Sequence, residues 1–148
     1  MEIERKFLID KNAFDYSSYP HSKLIQGYLS TDPVVRVRRD GDEYYLTYKG
    51  KGMMVREEYN LPLTKEAFEH LLAKADGNII SKTRFRIPLG DYTVELDEFD
   101  LPFAPLLMAE VEFPTREEAE SFTPPSWFLK DVTTDPAYHN SNMSKRIF

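Results

Sequence analysis

Residues 2–9 read Glu-Ile-Glu-Arg-Lys-Phe-Leu-Ile, and on an extended strand Glu2, Glu4 and Lys6 project from one face. Taking two carboxylates and an ammonium out of water is costly unless they serve one another or a ligand. Such a face suits neither an ordinary core nor an ordinary solvated surface. The device recurs along the chain in steps of two residues, with basic members in some segments and acidic members in others, and this limits what the chain can fold into.

Val34-Val-Arg-Val-Arg-Arg39, followed by Asp40-Gly41 and then by Asp42 to Lys49, predicts a β-hairpin. With Asp40 and Gly41 as the loop of a type I′ turn, Arg36 faces Tyr45 and Arg38 faces Glu43. Thr47 and Lys49 then fall on the same side. A second hairpin is expected from Ile79 to Ile87, through a loop at Pro88 to Asp91, into Tyr92 to Phe99. Any loop of even length puts Lys82, Arg84 and Arg86 on one face with Glu95 and Asp97, and leaves Phe85, Ile87, Val94 and Leu96 on the other. A pairing of Arg86 with Glu95 is then a structural salt bridge, while Arg39 and Glu43 are plain surface residues. Leu107 to Phe113 alternates Glu110 and Glu112 against Ala109, Val111 and Phe113, and Val55 to Leu61 is a further strand with Arg56 and Glu58 in phase. Gly50, Lys51 and Gly52 mark a loop before it.

Helices are fewer. Thr64 can cap a helix from about Lys65 to Ala75 whose apolar stripe is Phe68, Leu71, Leu72 and Ala75. Thr115 with Glu118 forms a capping box for a helix around Arg116 to Phe122, and a last helical turn is expected near Asn142 to Ile147. The 148 residues suit one domain spanning 1–148, with no internal repeat or linker. The three histidines, His21, His70 and His139, have no ligand spacing and are assigned no chemistry, and Trp127 is expected to cover an apolar surface.

Solvated faces mix charge signs and include Ser, Thr and Gln, whereas here the signs segregate. An α+β fold answers this: an antiparallel barrel whose outward apolar face is covered by a few helices and whose inward face lines a charged, water-filled lumen. Basic lumen residues suit phosphate oxygens, with Arg able to bind them in bidentate fashion. Paired carboxylates without cysteine suit a hard divalent cation, Mg²⁺ or Mn²⁺. A metal-bound polyphosphate satisfies both sets. The net charge of −6 argues against general nucleic-acid binding, the absence of cysteine excludes disulfides and thiolate chemistry, and no signal peptide or membrane-spanning stretch is readable. A cytoplasmic location is the expectation.

The ordered set Glu2-x-Glu4-x-Lys6, Arg36-x-Arg38, Lys49, Arg56-x-Glu58, Lys82-x-Arg84, Glu95-x-Asp97 and Glu110-x-Glu112 resembles the CYTH domain of the triphosphate tunnel metalloenzymes. Asp131-Val-Thr133 with Tyr138 and Asn140 resembles the family's C-terminal segment. The resemblance implies an eight-stranded barrel open at both ends that acts on a small-molecule triphosphate with Mg²⁺ or Mn²⁺. By matching position, Glu2, Glu4, Glu110 and Glu112 would hold metal. Lys6, Arg36, Arg38, Lys49, Lys82 and Arg84 would hold phosphates. Lys49, Glu58 and Asp97 complete the catalytic set, the two acids as further contacts or as ligands of a second ion, and Lys145 matches a basic residue that closes one mouth. A homodimer is a further implication, with no interface marked in these residues.

Three functions compete. An inorganic tripolyphosphatase, also acting on nucleoside triphosphates, leads, because short chains without an appendage resemble that group. A class IV adenylyl cyclase shares the scaffold but needs an adenine pocket, which the sequence does not show. A non-catalytic polyphosphate- or nucleotide-binding module would be favoured by loss of a metal carboxylate, yet every expected acidic position is filled.

Overall fold

The computed structural model describes residues 1–12 and 14–148. Its framework is one antiparallel sheet of ten strands, the lengths of which follow the alternating runs. β1 is Glu2–Ile9, β2 His21–Thr31, β3 Val34–Asp40, β4 Glu43–Lys49, β5 Val55–Arg56, β6 Glu58–Pro62, β7 Asp76–Leu89, β8 Tyr92–Phe99, β9 Leu107–Glu112 and β10 Phe128–Asp131. Nine strands follow one path, β10-β1-β9-β8-β7-β2-β3-β4-β6, and β5 pairs with β1, which brings the sheet round to near closure.

The expected eight strands are thus ten segments. The run from Val55 to Leu61 is broken at Glu57, so that Arg56 pairs with Glu2 on one side while Glu58 pairs with Lys49 on the other. β10 is an addition on the outer edge of β1, pairing at Phe7 to Ile9. β2, which has no repeated like charge on its inward positions, carries no such signature in the sequence, and it lies between β3 and β7.

Both hairpins turn on Gly-Asp. Gly41 and Asp42 join β3 to β4, and Gly90 and Asp91 join β7 to β8. Gly41 and Gly90 have φ of 59° and 60°, and no residue other than glycine among those described has positive φ, the pattern of a two-residue loop with glycine first. The expected Asp40-Gly41 loop is therefore corrected by one residue. Arg36 faces Thr47, Arg38 faces Tyr45, and Asp40 stays in the strand opposite Glu43. The inward parity of Arg36, Arg38 and Lys49 is unchanged, because both loops have two residues.

The outward face holds one core. Phe7, Phe85, Ile87, Val94, Leu96, Val111, Phe113 and Phe128 pack together, with Phe14, Tyr16, Phe122 and Trp127 against them. Trp127 lies 4.6 Å from both Phe14 and Phe128, as a surface-covering role requires. Two helices lie outside the sheet. α1 (Lys65–Leu72) is capped by Thr64, whose hydroxyl accepts from the Ala67 N–H, and it buries Phe68 beside Tyr44. α2 (Arg116–Ser121) is capped by Thr115, which accepts from the Glu118 N–H. Each ends slightly before the expected residue, at Leu72 and Ser121.

A second core occupies the inside of the sheet. The inward parity that carries Glu2, Glu4 and Lys6 on β1 continues to Leu8; on β7 it runs from Arg84 and Lys82 to Ile80, on β8 from Asp97 to Phe99, and on β9 from Glu110 to Met108. Ile80, Phe99 and Met108 pack with Tyr28, Val132 and Met143, and with Leu8 at their edge. The lumen is charged over part of its length and filled with apolar side chains beyond it, where a tunnel open at both ends was expected. Met143 belongs to α3 (Asn140–Met143), which starts two residues before the expected turn and ends four before it.

Candidate active site in the lumen

Alternation alone brings the inward charges together. Glu2, Glu4, Lys6, Arg36, Arg38, Lys49, Glu58, Arg84, Glu110 and Glu112 line one cavity of about 360 Å³, so most of the residues selected from sequence converge. Lys82 and Asp97 do not reach its surface. They lie behind Arg84: Lys82 is 0% and Asp97 1% exposed, with Lys82 Nζ 2.7 Å from Asp97. Arg84 donates to both Asp97 oxygens at 2.8 and 2.9 Å and to Glu95 at 3.1 Å. Lys145 is exposed and lies outside the cavity lining. Arg86, expected to pair with Glu95, instead donates to Asp40 at 3.1 Å and to Ser22 at 2.9 Å. The corrected hairpin register makes this possible by keeping Asp40 in the strand.

The cavity also takes residues that no charge pattern announces. Tyr28 comes from β2, Tyr45 and Asn60 from β4 and β6, and His139, Asn140 and Ser141 from the C-terminal segment. A β-rich run, Leu24-Ile-Gln-Gly-Tyr-Leu29, ended by Asp32-Pro33, was the available signal for β2. Nothing local marks His139 or Asn140 as lumen residues. The His139 ring nitrogen Nε2 donates to the Thr133 carbonyl at 2.8 Å, and burial holds the imidazole below its ordinary pKa.

Charges of both signs are interleaved. Lys49 Nζ lies 2.9 and 3.2 Å from the two oxygens of Glu2 and 3.5 Å from Glu58, and Lys6 Nζ lies 2.8 Å from Glu110 and 3.5 Å from Glu4. The cations do not neutralise every acid. Burial, then the like charge of Glu4, pushes Glu2 up to about 8 despite Lys49, and the neighbouring Glu58 adds to the rise. Burial and Glu110 push Glu4 up, and burial with Glu58, Glu95 and Glu4 pushes Glu112 up. Glu110 is the exception, because Lys6 and Arg84 outweigh its burial and hold it well below the usual carboxylate range. Among the described residues no three carboxylates stand together at the spacing of a metal site, since Lys49 and Lys6 lie among them. As donors, though, Glu2, Glu4, Glu110 and Glu112 fit a hard divalent cation: all are oxygen ligands on neighbouring strands, and three of the four lack enough positive charge.

The basic side is also incomplete. Arg36, 6% exposed, donates from its NH2 group to Thr47 at 3.0 Å, but its Nε is the one buried side-chain nitrogen or oxygen among the described residues with no partner. Burial and the neighbouring Arg38 both disfavour its charge. A buried guanidinium beside a second one, with a donor left over, matches an anion that enters from outside.

Comparison with known proteins agrees with this arrangement. Residues 1–131 match the model of the CYTH domain. Over 99% of this chain, the sequence is 38% identical to an inorganic triphosphatase of Nitrosomonas europaea, covering 98% of that protein. It is 37% identical to an inorganic triphosphatase of Acetivibrio thermocellus, covering 99% of this chain and 95% of that one. A crystal structure of an inorganic triphosphatase superposes with a TM-score of 0.72 at 36% identity, over 99% of this chain and 96% of the other. On the ordered charges of its lumen, its near-closed sheet and these likenesses, the chain belongs to the CYTH domain family.

Proposed function

We propose that this protein hydrolyses inorganic tripolyphosphate to diphosphate and orthophosphate within the charged lumen, with Mg²⁺ or Mn²⁺. The observation that carries the reading is the unpartnered Nε of buried Arg36 in a cavity that also exposes Arg38, Arg84, Lys49 and Lys6. A polyphosphate supplies acceptors to all of these groups at once. The two triphosphatases named above, similar along nearly their whole length, support the same substrate class.

In this reading Glu2, Glu4, Glu110 and Glu112 hold the divalent ion. Held there, such an ion would supply charge neutralisation for the phosphates and Lewis-acid activation of water. Arg36 and Arg38 grip the phosphate chain, and Arg84, fixed by Asp97, meets the negative charge that develops on transfer. Glu58, 3.5 Å from Lys49 and held below its ordinary pKa, is an acidic group available to orient the attacking water. Water adds to the terminal phosphorus, the bridging P–O bond breaks, and diphosphate leaves with its charge compensated by Lys49 and Lys6. Lys82 and Asp97, named from sequence as substrate-binding and catalytic, act on Arg84 from behind.

The cavity favours this over a cyclase. Apart from charged and amide side chains it offers only Tyr28, Tyr45, Val34, His139 and Ser141, which is no apolar slot for adenine. The test is release of phosphate from tripolyphosphate and from ATP with Mn²⁺, Mg²⁺ or EDTA, with chromatography for cyclic AMP. Metal-dependent turnover of tripolyphosphate ahead of ATP, with no cyclic AMP, is expected. No phosphate release from tripolyphosphate with either ion would overturn the reading.

A further inference from the structure

Asn140 is 8% exposed and lines the lumen from the C-terminal segment. Its Oδ1 accepts from Lys82 Nζ at 3.0 Å and from Gln26 Nε2 at 3.3 Å. An ammonium has no acceptor, so oxygen is the atom of the amide that must face Lys82, and the amide can be oriented in one way only. Nδ2 is left over. Among the described residues it has no hydrogen-bond partner, and it is not enclosed, since Arg36 Nε is the one buried unpartnered side-chain atom.

We propose that the Nδ2 amide of Asn140 is a further substrate-binding group, which donates to a phosphate oxygen of the bound triphosphate. The assignment rests on the reading of this cavity as a triphosphate site. The amide belongs to a hydrogen-bonded chain that links three groups of the cavity wall. Arg38 Nε donates to Gln26 Oε1 at 2.8 Å, Gln26 donates to Asn140, Lys82 donates to Asn140 and pairs with Asp97, and Asp97 holds Arg84. Gln26 and Lys82 are positioning residues here: they turn the amide and never reach the cavity. A neutral donor adds a hydrogen bond without placing another cation beside Lys82, Arg36 and Arg38.

The segment carrying Asn140 is held as firmly as this role demands. The Asn78 N–H donates to the Ser144 carbonyl at 2.6 Å, and the Asn78 amide donates to the carbonyls of Arg146 at 2.7 Å and Met143 at 3.3 Å. Gly77, at φ +69°, brings β7 so close that a Cβ there would lie 2.1 Å from the Ser144 oxygen. Met143 is packed into the apolar plug. The donor is therefore fixed before any ligand arrives, at little further entropic cost on binding.

Asn140→Asp separates binding from architecture. The carboxylate keeps an oxygen for Lys82 and Gln26, so the C-terminal segment stays seated, but the donor becomes an acceptor that repels phosphate. The expected result is a KM for tripolyphosphate raised on the order of 10-fold or more, with kcat changed far less and the thermal midpoint held. A KM within about twofold of the parent, in a folded variant, overturns the proposal, because a carboxylate in contact with a phosphate oxygen could not leave binding unchanged. If Asn140→Asp does not fold, the unsubstituted protein decides. Its Asn140 side-chain ¹⁵N–¹H₂ resonances should move on titration with the slowly hydrolysed imido-bridged analogue of tripolyphosphate and Mg²⁺, and unmoved resonances overturn the assignment. Arg36→Met run in parallel distinguishes the two failures. Loss of analogue binding in Arg36→Met alone removes Asn140 from the site, whereas full binding in both variants removes the triphosphate reading itself.

Discussion

Replacing Asp97 with Asn tests whether this residue does chemistry or holds the residues that do. Asp97 is 1% exposed, takes two charge-assisted hydrogen bonds from Arg84 at 2.8 and 2.9 Å, and forms an ion pair with Lys82 at 2.7 Å. Burial would raise its carboxyl, but Arg84 and Lys82 hold it below the usual range. Removing one partner of a buried ion pair costs roughly 3–5 kcal/mol, because the opposite charges stay desolvated. Arg84 keeps Glu95 at 3.1 Å and Glu110 at 3.6 Å, and the amide still accepts one hydrogen bond, which places Asp97→Asn near the lower end, about 3 kcal/mol. For a chain of this size each kcal/mol shifts the thermal midpoint by about 2–4 °C, so a fall of about 6–12 °C is expected, with an unchanged denaturant m-value. Turnover of tripolyphosphate should drop as well, through Arg84. The assay is thermal and urea unfolding of the metal-free protein beside kinetics on the same preparation. A variant that melts within about 2 °C of the parent yet loses turnover would refute the argument, and would return Asp97 to the cavity as a reacting group.

Arg36→Met should separate stability from function, because it removes a buried charge that has an unpartnered Nε and Arg38 for a neighbour. The metal-free variant is expected to melt no lower than the parent and to lose the thermal shift that tripolyphosphate gives; a clear drop in its midpoint would count against an unsatisfied guanidinium. Asp131, which anchors β10, is pushed up by burial but held below its ordinary value of 3.8 by the Thr133 hydroxyl and N–H and by Arg5. A carboxyl lowered by folding contributes stability that is present above 3.8 and is lost as the pH falls below it. Midpoints measured from pH 7 to pH 3 should therefore fall further for the parent than for Asp131→Asn, and parallel curves would contradict this. Gly77→Ala puts a side chain at φ +69° and 2.1 Å from the Ser144 carbonyl, which should loosen the C-terminal segment and cost at least about 1 kcal/mol. Faster amide exchange at Asn78 is the direct readout, and unchanged protection would rule the contact out.

Most of the lumen was legible because a strand has a period of two. Once Glu2, Glu4 and Lys6 share a face, their convergence with Arg36, Arg38, Arg84 and Glu110 needs only that the sheet curl with this face inward, and an error of one residue in the first hairpin turn left that outcome intact. What escaped was carried by residues without a repeated charge. β2 turns Gln26 and Tyr28 inward among Ser, Leu and Gly, with only Tyr28 reaching the cavity, and β10 is a four-residue edge strand on the part of β1 that extends past β5. Arg86 was misassigned for a different reason. Cross-strand opposition gave Glu95 as its partner, but Glu95 turns to Arg84, and Asp40, two strands away, takes Arg86.

By itself the chain determined which side chains share a face, because alternation is a local property of extended backbone, and it determined that this face carries hard carboxylates and guanidinium groups, whose preferences for partners are fixed. Tertiary structure alone decided depth. Lys82 and Arg84 are identical in parity and two residues apart, yet one lines the cavity and the other lies behind it against Asp97 and Asn140. It also decided that the lumen ends in an apolar plug and that His139 and Asn140 enter it, since both follow from where the C-terminal segment folds back onto β7. Depth and return contacts join residues more than fifty positions apart, and such distances have no signature in any local pattern.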